Sequence, residues 1–341
     1  MKKLAIASAI ALASITAAHA APQVYGKAFL TADYVDTSYD SDYRASATAT
    51  RAPEDDSVFK LNSNASRIGF KGSEELTDTT NLVYQLEYGI DVDANTDQFY
   101  SRNTYIGLAH NTLGTLLAGR MDTPFKTAKG NADVFNANSS TLSIDNTGPV
   151  GYVKLGEERA NNVLAYKSPT LVGMPITFTG AVSLSEQDNV AYTGEKDPND
   201  NGYSASLAYD QNGVYAAVGY DKNVGAEDTA WRVAGTVDMG KMNMVQGLVL
   251  GALYQNADLY NTNEDAKTWL VSGKYSIANT PWTAKAQYIS TDFGTKDSEE
   301  VAVGAEYAFN KATTGHIYAG QISRDNYKDD TIVGTGIEYK F

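Results

Sequence analysis

The sequence predicts an all-β fold, a transmembrane antiparallel β-barrel of about 16 strands. Three observations carry this prediction. Apolar and polar residues alternate at period two along most of the chain, short turns alternate with longer polar connections, and the last residue is an aromatic in register with the final alternation. Because a soluble β-sandwich alternates as well, the connections and the terminal strand decide between the two classes.

The N-terminus has the three parts of a secretory signal. Lys2 and Lys3 precede an apolar run from Leu4 to about Ala18, and residues 18–20 read Ala-His-Ala, a small-residue cleavage site. The run is shorter than the roughly 20 residues of a membrane-spanning helix. We therefore expect residues 1–20 to be cleaved off as a signal peptide. Residues 21–341, which no Pro- or Ser-rich linker divides, are expected to form one barrel domain.

The composition excludes several classes of protein. The chain has no cysteine, so disulfide and thiol chemistry are absent, and its formal charge is −14. The predicted signal removes two lysines and no acid, which leaves the mature chain at −16. An acidic surface of this size argues against nucleic acid as a partner.

Individual strands follow from the alternation. In residues 81–93, Leu82, Tyr84, Leu86, Tyr88, Ile90 and Val92 share one face, and Gln85, Glu87, Asp91 and Asp93 share the other. The apolar face is expected to meet lipid and the acidic face water. The same pattern predicts strands at about 23–36, 58–71, 81–93, 99–110, 114–122, 159–168, 175–185, 201–210, 214–223, 229–240, 247–257, 266–277, 281–292, 299–309, 314–324 and 329–341.

The connections fall into two sets. Residues 210–213, 278–281 and 310–313 are short turns, whereas 37–57, 186–200, 258–265 and 295–298 are acidic and mostly longer. Short turns at one end and polar loops at the other are typical of outer-membrane barrels. A barrel this wide encloses an aqueous lumen unless something fills it. The longest stretch without a strand, 121–158, would be a surface loop if it folded outward and would narrow the channel if it folded inward.

The last strand supports the membrane assignment. Ile337, Tyr339 and Phe341 lie on one face, and Glu338 and Lys340 lie on the other. A closing strand that stops at an aromatic girdle is expected of an outer-membrane barrel.

Several stretches together resemble the general porins of Gram-negative outer membranes. They are SRIGFKGSEEL at 66–76, SRNTYIGL at 101–108, LGTLLAGR at 113–120, RANN at 159–162 with YKSP at 166–169, and the terminal YKF. The resemblance implies a homotrimer of 16-stranded barrels with an in-folded third loop, which is 121–158 by position. It also implies contact with outer-membrane lipid and lipopolysaccharide, and recognition of Phe341 by the barrel assembly machinery.

The family's basic arc can be carried over to particular residues. Arg67, Arg102 and Arg159 match it, and Lys71 lies two residues beyond Arg67 on the same face. Alternation independently favours the lumen for Arg67, because an arginine on the lipid face near the midplane costs about 2–4 kcal/mol. Arg102 shares its predicted face with apolar residues, and Arg120 ends its strand, where the loop entrance is the alternative position. An ordinary solvated lumen or rim position is the alternative for every one of these bases.

The loop supplies the acids that could face this arc. It lacks the compact acidic PEFGG element of enteric members and has DNTGPVGY at 145–152 instead. The available carboxylates are Asp133, Asp145, Glu157 and Glu158. We favour Asp133 and Asp145, which lie within the loop body, with solvated loop carboxylates as the alternative.

The expected function is general diffusion of small hydrophilic solutes and ions through a water-filled channel. Acidic mouth loops favour weak cation selectivity. The alternative is a substrate-specific channel for sugars or oligosaccharides, which is disfavoured because nearly all aromatics face outward in the predicted register. No enzyme activity or cofactor is expected. Only His110 and His316 remain after signal cleavage, both beside predicted periplasmic turns and outside any metal or nucleophile spacing.

Overall fold

The computed structural model describes residues 22–41, 43, 54–93, 98–136, 142, 155–171, 173–186, 200–225, 227–259, 265–294 and 297–341. The predicted signal peptide and Asp145 lie outside these ranges. Within them, no helix is long and apolar enough to cross a membrane. The strands are β1 (Gln23–Tyr39), β2 (Asp56–Ser63), β3 (Arg67–Thr77), β4 (Thr80–Ile90), β5 (Phe99–His110), β6 (Gly114–Asp122), β7 (Arg159–Lys167), β8 (Ile176–Ser183), β9 (Gly202–Gln211), β10 (Val214–Lys222), β11 (Glu227–Asp238), β12 (Leu248–Leu259), β13 (Asp265–Ser276), β14 (Trp282–Asp292), β15 (Asp297–Ala308), β16 (Thr313–Arg324) and β17 (Lys328–Lys340). One short helix, α1 (Pro124–Ala128), follows β6.

Two of these strands occupy one position in the barrel. Both β2 and β3 pair with β1, Leu30 lying opposite Ser63 and Lys27 opposite Arg67. Between them the chain bulges at Ala65, whose φ of 47° lies in the left-handed region. The described segments therefore form a 16-stranded antiparallel barrel, which confirms the predicted fold class. Most predicted strand ends lie within about two or three residues of the observed ones.

The barrel closes between the first and last strands. β1 pairs with β17 from Lys27 opposite Lys340 to Tyr39 opposite Lys328. The terminal residue continues the pairing, since Phe341 N–H donates to Gly26 O over 3.1 Å and Gly26 N–H donates to Phe341 O over 2.9 Å. Every strand edge is thereby paired, as a sheet in lipid requires.

Alternation along the strands separates lipid from lumen. In β13, Trp269 and Val271 expose 58% and 52% of their surface, while Thr268 and Leu270 between them are buried on the inner face. The outer residues are apolar because they meet hydrocarbon, and the inner residues pack against what lies inside the barrel.

Turn chemistry fixes one end of the barrel. β9 and β10 are joined by Asn212 and Gly213 alone, with φ of 53° and 85°. Positive φ at both positions is the geometry of a type I′ hairpin, whose twist matches that of the strands. The turn between β3 and β4 at residues 78–79 is equally short. These turns lie at the end that holds Phe341, which porin-type topology makes the periplasmic end.

Candidate channel constriction

The segment after β6 turns into the barrel. Thr123 caps α1, its hydroxyl accepting from Lys126 N–H over 3.0 Å, and Pro124 occupies the first turn, where its missing N–H costs nothing. The helix then docks on the inner wall. Phe125 N–H donates to Ser204 Oγ of β9 over 3.0 Å, and the Tyr215 hydroxyl of β10 donates to Ala128 O over 3.0 Å.

The loop continues along the same wall. Ser272 of β13 donates to Ala132 O over 2.5 Å, and Val134 N–H donates to Gln287 of β14 over 2.9 Å. Phe135 is fully buried beneath the Lys285 ammonium, which lies 4.3 Å from its ring centroid. Farther on, Leu142 packs with Ile322, Ile332 and Val35 on β16, β17 and β1. The described loop residues thus cover roughly half of the inner wall, from β9 round to β1.

A buried ion triad anchors the returning end of the loop. The carboxylate of Glu157 lies 2.5 Å from Lys129 Nζ and 2.9 Å from Arg232 Nη2, and its side chain is fully buried. Arg232 of β11 also stacks on Phe125, 4.4 Å from the ring centroid. Burial alone would raise the pKa of Glu157, but the charges of Lys129, Arg232 and Lys126 outweigh it and hold the pKa below its ordinary value. Glu157 is therefore a fixed anion between loop and wall.

The uncovered wall carries a cluster of arginines. Glu87 of β4 lies between two of them, 3.4 Å from Arg67 Nε and 2.7 Å from Arg102 Nε. The Tyr25 hydroxyl donates to the same carboxylate over 3.0 Å. Glu87 thus holds both guanidinium groups on the inner surface of β3 and β5.

A β-bulge explains why Arg102 points inward. Leu86 lies opposite Thr104 and Tyr88 opposite Ser101, so Glu87 faces two residues of β5, Arg102 and Asn103. The extra residue reverses the alternation, and Ile106 farther along β5 remains on the lipid side with 52% of its surface exposed. Strict period-two alternation would place Arg102 on the same face as its apolar neighbours, but that alternation ends at this bulge.

Arg159 and Arg120 complete the cluster on β7 and β6. Arg159 Nε lies 3.0 Å from Asp122, which is also 3.3 Å from Lys126. Arg120 donates to the Asn161 side chain over 2.5 Å and to Arg159 O over 3.2 Å. The pairing of β6 with β7 shifts register between Gly119 and Met121, and the extra residue lies on β7. Alternation along β6 therefore gives the Arg120 side chain the face opposite that of Met121, which packs inside with Val163. We call Arg67, Arg102, Arg120 and Arg159, with Glu87 and Asp122, the arginine cluster.

The other predicted residues lie in different settings. Lys71 sits on the periplasmic side of Arg67, its ammonium 5.0 Å from the Tyr25 ring. Asp133 is buried in the loop and accepts from Phe135 N–H over 3.1 Å. Glu158 is partly exposed beside Arg159. The sequence motifs do not mark Glu87, Asp122 and Arg232 as site residues, although the alternation of 81–93 already puts Glu87 on the inner face.

A family model described as Gram-negative porin matches residues 5–328. The chain belongs to the Gram-negative porin family. It is therefore a channel protein of the outer membrane, and the resemblance seen in the sequence motifs is confirmed.

Relatives of this porin agree with the assignment. It is 26% identical over 296 residues to the major outer membrane protein P.IB of Neisseria gonorrhoeae, covering 79% of this chain and 81% of that protein. It is 28% identical over 301 residues to P.IA of Neisseria meningitidis, covering 83% and 74%.

Solved structures share the fold of the porin at low identity. The anion-selective porin from Comamonas acidovorans superimposes with a TM-score of 0.76 at 17% identity, covering 94% of this chain and 100% of that one. Salmonella typhi OmpF in complex with daunomycin gives 0.67 at 18% identity, covering 94% and 97%.

The aromatics of the porin correct one expectation. Four inner-wall tyrosines do not face lipid, because their hydroxyls bond to groups inside the barrel. Their hydroxyl partners are Glu87 for Tyr25, Gln85 for Tyr105, Ala128 O for Tyr215 and Asp33 for Tyr318. Strict alternation places these tyrosines inside, because residues of the opposite parity in the same strands, Val24, Ile106, Val218 and Ile317, are exposed on the outer face.

His110 and His316 also differ from each other. His110 lies at a turn, where its Nδ1 accepts from Leu113 N–H over 3.1 Å. His316 lies near the predicted turn as well, but its side chain is buried inside the barrel, with its ring centroid 4.7 Å from that of Phe29. Within the described ranges, no group of three or more His, Cys, Asp or Glu side chains could hold a metal ion.

Proposed function

We propose that the docked loop and the arginine cluster form the two sides of a constriction for general diffusion of small hydrophilic solutes. The observation that carries this is their distribution around the barrel. Apart from the ion pair of Lys126 with Asp122 at the base of the loop, the described loop residues mainly contact β9 to β17 and β1, and the arginine cluster lies on β3 to β7, the wall they leave largely open. A solute must pass between them.

The cluster is suited to act on solutes because its charges are held in place. Glu87 and Asp122 fix three of the four arginines by ion pairs, and Arg120 is fixed by hydrogen bonds to β7. Fixed charges do not have to reorganise when a polar solute arrives. A hydrophilic solute exchanges water for these groups, whereas an apolar solute loses water without such compensation.

The acids that complete the constriction come from the loop. We propose Asp145 and Glu158 for the lumen side, and Asp133 and Glu157 for the contact between loop and wall, because both of the latter are buried there. Lys71 extends the basic arc toward the periplasm.

For small inorganic ions we propose weak cation selectivity. Acidic external loops concentrate cations at the mouth, and salt screens that field over about 8 Å at physiological ionic strength. The arginine cluster opposes this cation preference, because it has four arginines and two carboxylates. The two contributions partly cancel, which is why the net preference is weak.

The assembly we propose is a homotrimer in the outer membrane, with lipid and lipopolysaccharide at its outer wall. Phe341, exposed at the periplasmic end beside Gly26, is the group we propose for recognition by the barrel assembly machinery.

Single-channel recording under a KCl gradient tests the proposed function. Purified porin in a planar bilayer should give a stable conductance that closes in three equal steps, with a reversal potential slightly toward the cation side. Correctly folded protein that leaves the bilayer silent would overturn general diffusion, and a reversal potential on the anion side would overturn the selectivity alone.

A further inference from the structure

The inner wall periplasmic of the arginine cluster is apolar, unlike the polar interior typical of outer-membrane channels. Cross-strand pairing aligns two rows of inward side chains over β4 to β8. One row runs from Gln85 through Tyr105 and Gly119 to Val163, and the next runs through Val83, Gly107, Leu117, Ala165 and Ala181. We call the side-chain-bearing apolar members the apolar strip: Val83, Tyr105, Leu117, Val163, Ala165 and Ala181.

The strip faces the lumen. Tyr105 bonds through its hydroxyl to Gln85, which alternates along β4 with the inward Glu87. Residues of the opposite parity point to lipid, and Leu116 and Leu164 expose 59% and 51% of their surface there. Leu117 and Tyr105 pack together with Val163 and Ala165 on the inner side.

Val163 and Ala165 at one end of this strip are buried, and the described part of the loop leaves the rest of the strip uncovered. The hydrogen bonds of the described loop residues reach Ser204 on β9 and Gln287 on β14, and Val83, Tyr105, Leu117 and Ala181 remain partly exposed. Apolar surface in contact with water is stabilised when an apolar group covers it. A solute with an apolar body would therefore be retained at the strip.

The charge of the adjoining wall determines which charge the other end of such a solute should carry. Arg102 precedes Tyr105 by three residues on β5, about 10 Å along a strand, and the bulge between them keeps both side chains on the inner face. The arginine cluster has four guanidinium groups for two carboxylates, so it complements an anion. Guanidinium groups bind carboxylates in paired, charge-assisted hydrogen bonds.

We propose that the apolar strip and the arginine cluster together form a binding site for small organic anions with an apolar body, such as aryl carboxylates. The carboxylate lies at Arg102 and Arg159, and the ring lies against Tyr105 and Leu117. The inference rests on the proposed channel function and adds a solute class to it. Because the strip opens toward the periplasm, the site is reached from that side without crossing the acidic external loops.

Blockade of the KCl current by a matched set of solutes tests the proposal on the unmodified porin. Phenylacetate should give transient partial closures at a concentration about ten-fold lower than acetate needs, because only phenylacetate covers the strip. Phenethyl alcohol, which has the ring without the charge, should give none. Phenylacetate should act more strongly from the periplasmic side. Equal effects of acetate and phenylacetate would overturn the proposal, and so would blockade by the alcohol.

Variants of inward residues separate the two halves of the site. Leu117→Asn with Val83→Thr should raise the blocking concentration of phenylacetate about ten-fold and leave that of acetate unchanged. The matched control, Thr115→Val, extends the strip by the next inward residue of β6 and should lower it. Arg102→Gln should weaken both anions. Unchanged phenylacetate blockade in the strip variant would overturn the proposal. A protein that conducts no KCl at all would instead overturn the channel function on which it rests.

Discussion

At the scale of single residues, the placement of charge depends on two carboxylates. Glu87 faces both Arg67 and Arg102, and Asp122 faces Arg159. Period-two alternation was sufficient to predict that Arg67 faces the lumen, because an arginine in lipid is costly. It was insufficient for Arg102, because a bulge has no dependable signature in the surrounding residues and shifts the face of everything beyond it.

Replacing Arg67 by alanine tests its role in the constriction. The Arg67→Ala porin should have a larger single-channel conductance and a reversal potential shifted toward cations, because a bulky base leaves the lumen and Glu87 keeps only Arg102. Both quantities come from one planar-bilayer record. Lys311→Ala removes one positive charge from an exposed periplasmic turn and is the control. An unchanged reversal potential in Arg67→Ala would place Arg67 outside the narrow part of the channel.

At the scale of elements, the loop after β6 is held by contacts that cannot be predicted from its own sequence. Its length and its lack of a strand pattern predicted an unusual segment, and its position suggested an inward path. Its partners, Ser204, Tyr215, Ser272 and Gln287, come from four strands spread over more than 80 residues. Such pairings follow from barrel closure and register, so no local pattern could have predicted them.

The ion triad at the base of the loop gives a test of its attachment. Glu157→Gln leaves Lys129 and Arg232 buried without their anion, and breaking a buried pair in this way costs about 3–5 kcal/mol. The loop should then detach more often, which would appear as increased current noise and faster proteolysis within 123–158. Glu158→Gln, a change of the same kind at a partly exposed neighbour, is the control. Equal behaviour of the two variants would show that Glu157 does not hold the loop.

The same triad predicts a pH dependence. The pKa of Glu157 is lowered in the folded protein, so its contribution is fully present above the ordinary carboxyl pKa and is lost as pH falls through the lowered value. Loop detachment in the unmodified porin should therefore increase only in strongly acidic solution. Noise that rises near neutral pH would point to a different group.

At the scale of the whole molecule, the strand number, the direction of the faces and the closure of the barrel were predictable. Each rests on a repeated pattern in which many residues agree, so an error in one strand changes little. The extra break at Ala65, which divides one predicted strand into β2 and β3, was not predictable because it depends on a single left-handed residue.

Deleting Phe341 tests the proposed assembly signal. The truncated porin should reach the outer membrane in much smaller amounts, while refolding from urea into detergent should still yield a barrel, because all 16 barrel positions keep their strand pairing. Heat-modifiable mobility on gels reports the folded barrel both in outer-membrane fractions and after refolding in detergent. Phe309→Ala alters another exposed aromatic at the same end and is the control. Normal amounts of the truncated protein in the outer membrane would contradict the assignment.

The backbone bonds between Gly26 and Phe341 bring the start of the first strand and the end of the last strand together at one rim. A short linker could join these ends and new ends could be opened at Asn212–Gly213, giving a circular permutant with every strand pairing retained. Such a protein would carry the folding instructions of the barrel without a terminal phenylalanine. It would separate the sequence features that determine the fold from the feature that directs the protein to the membrane.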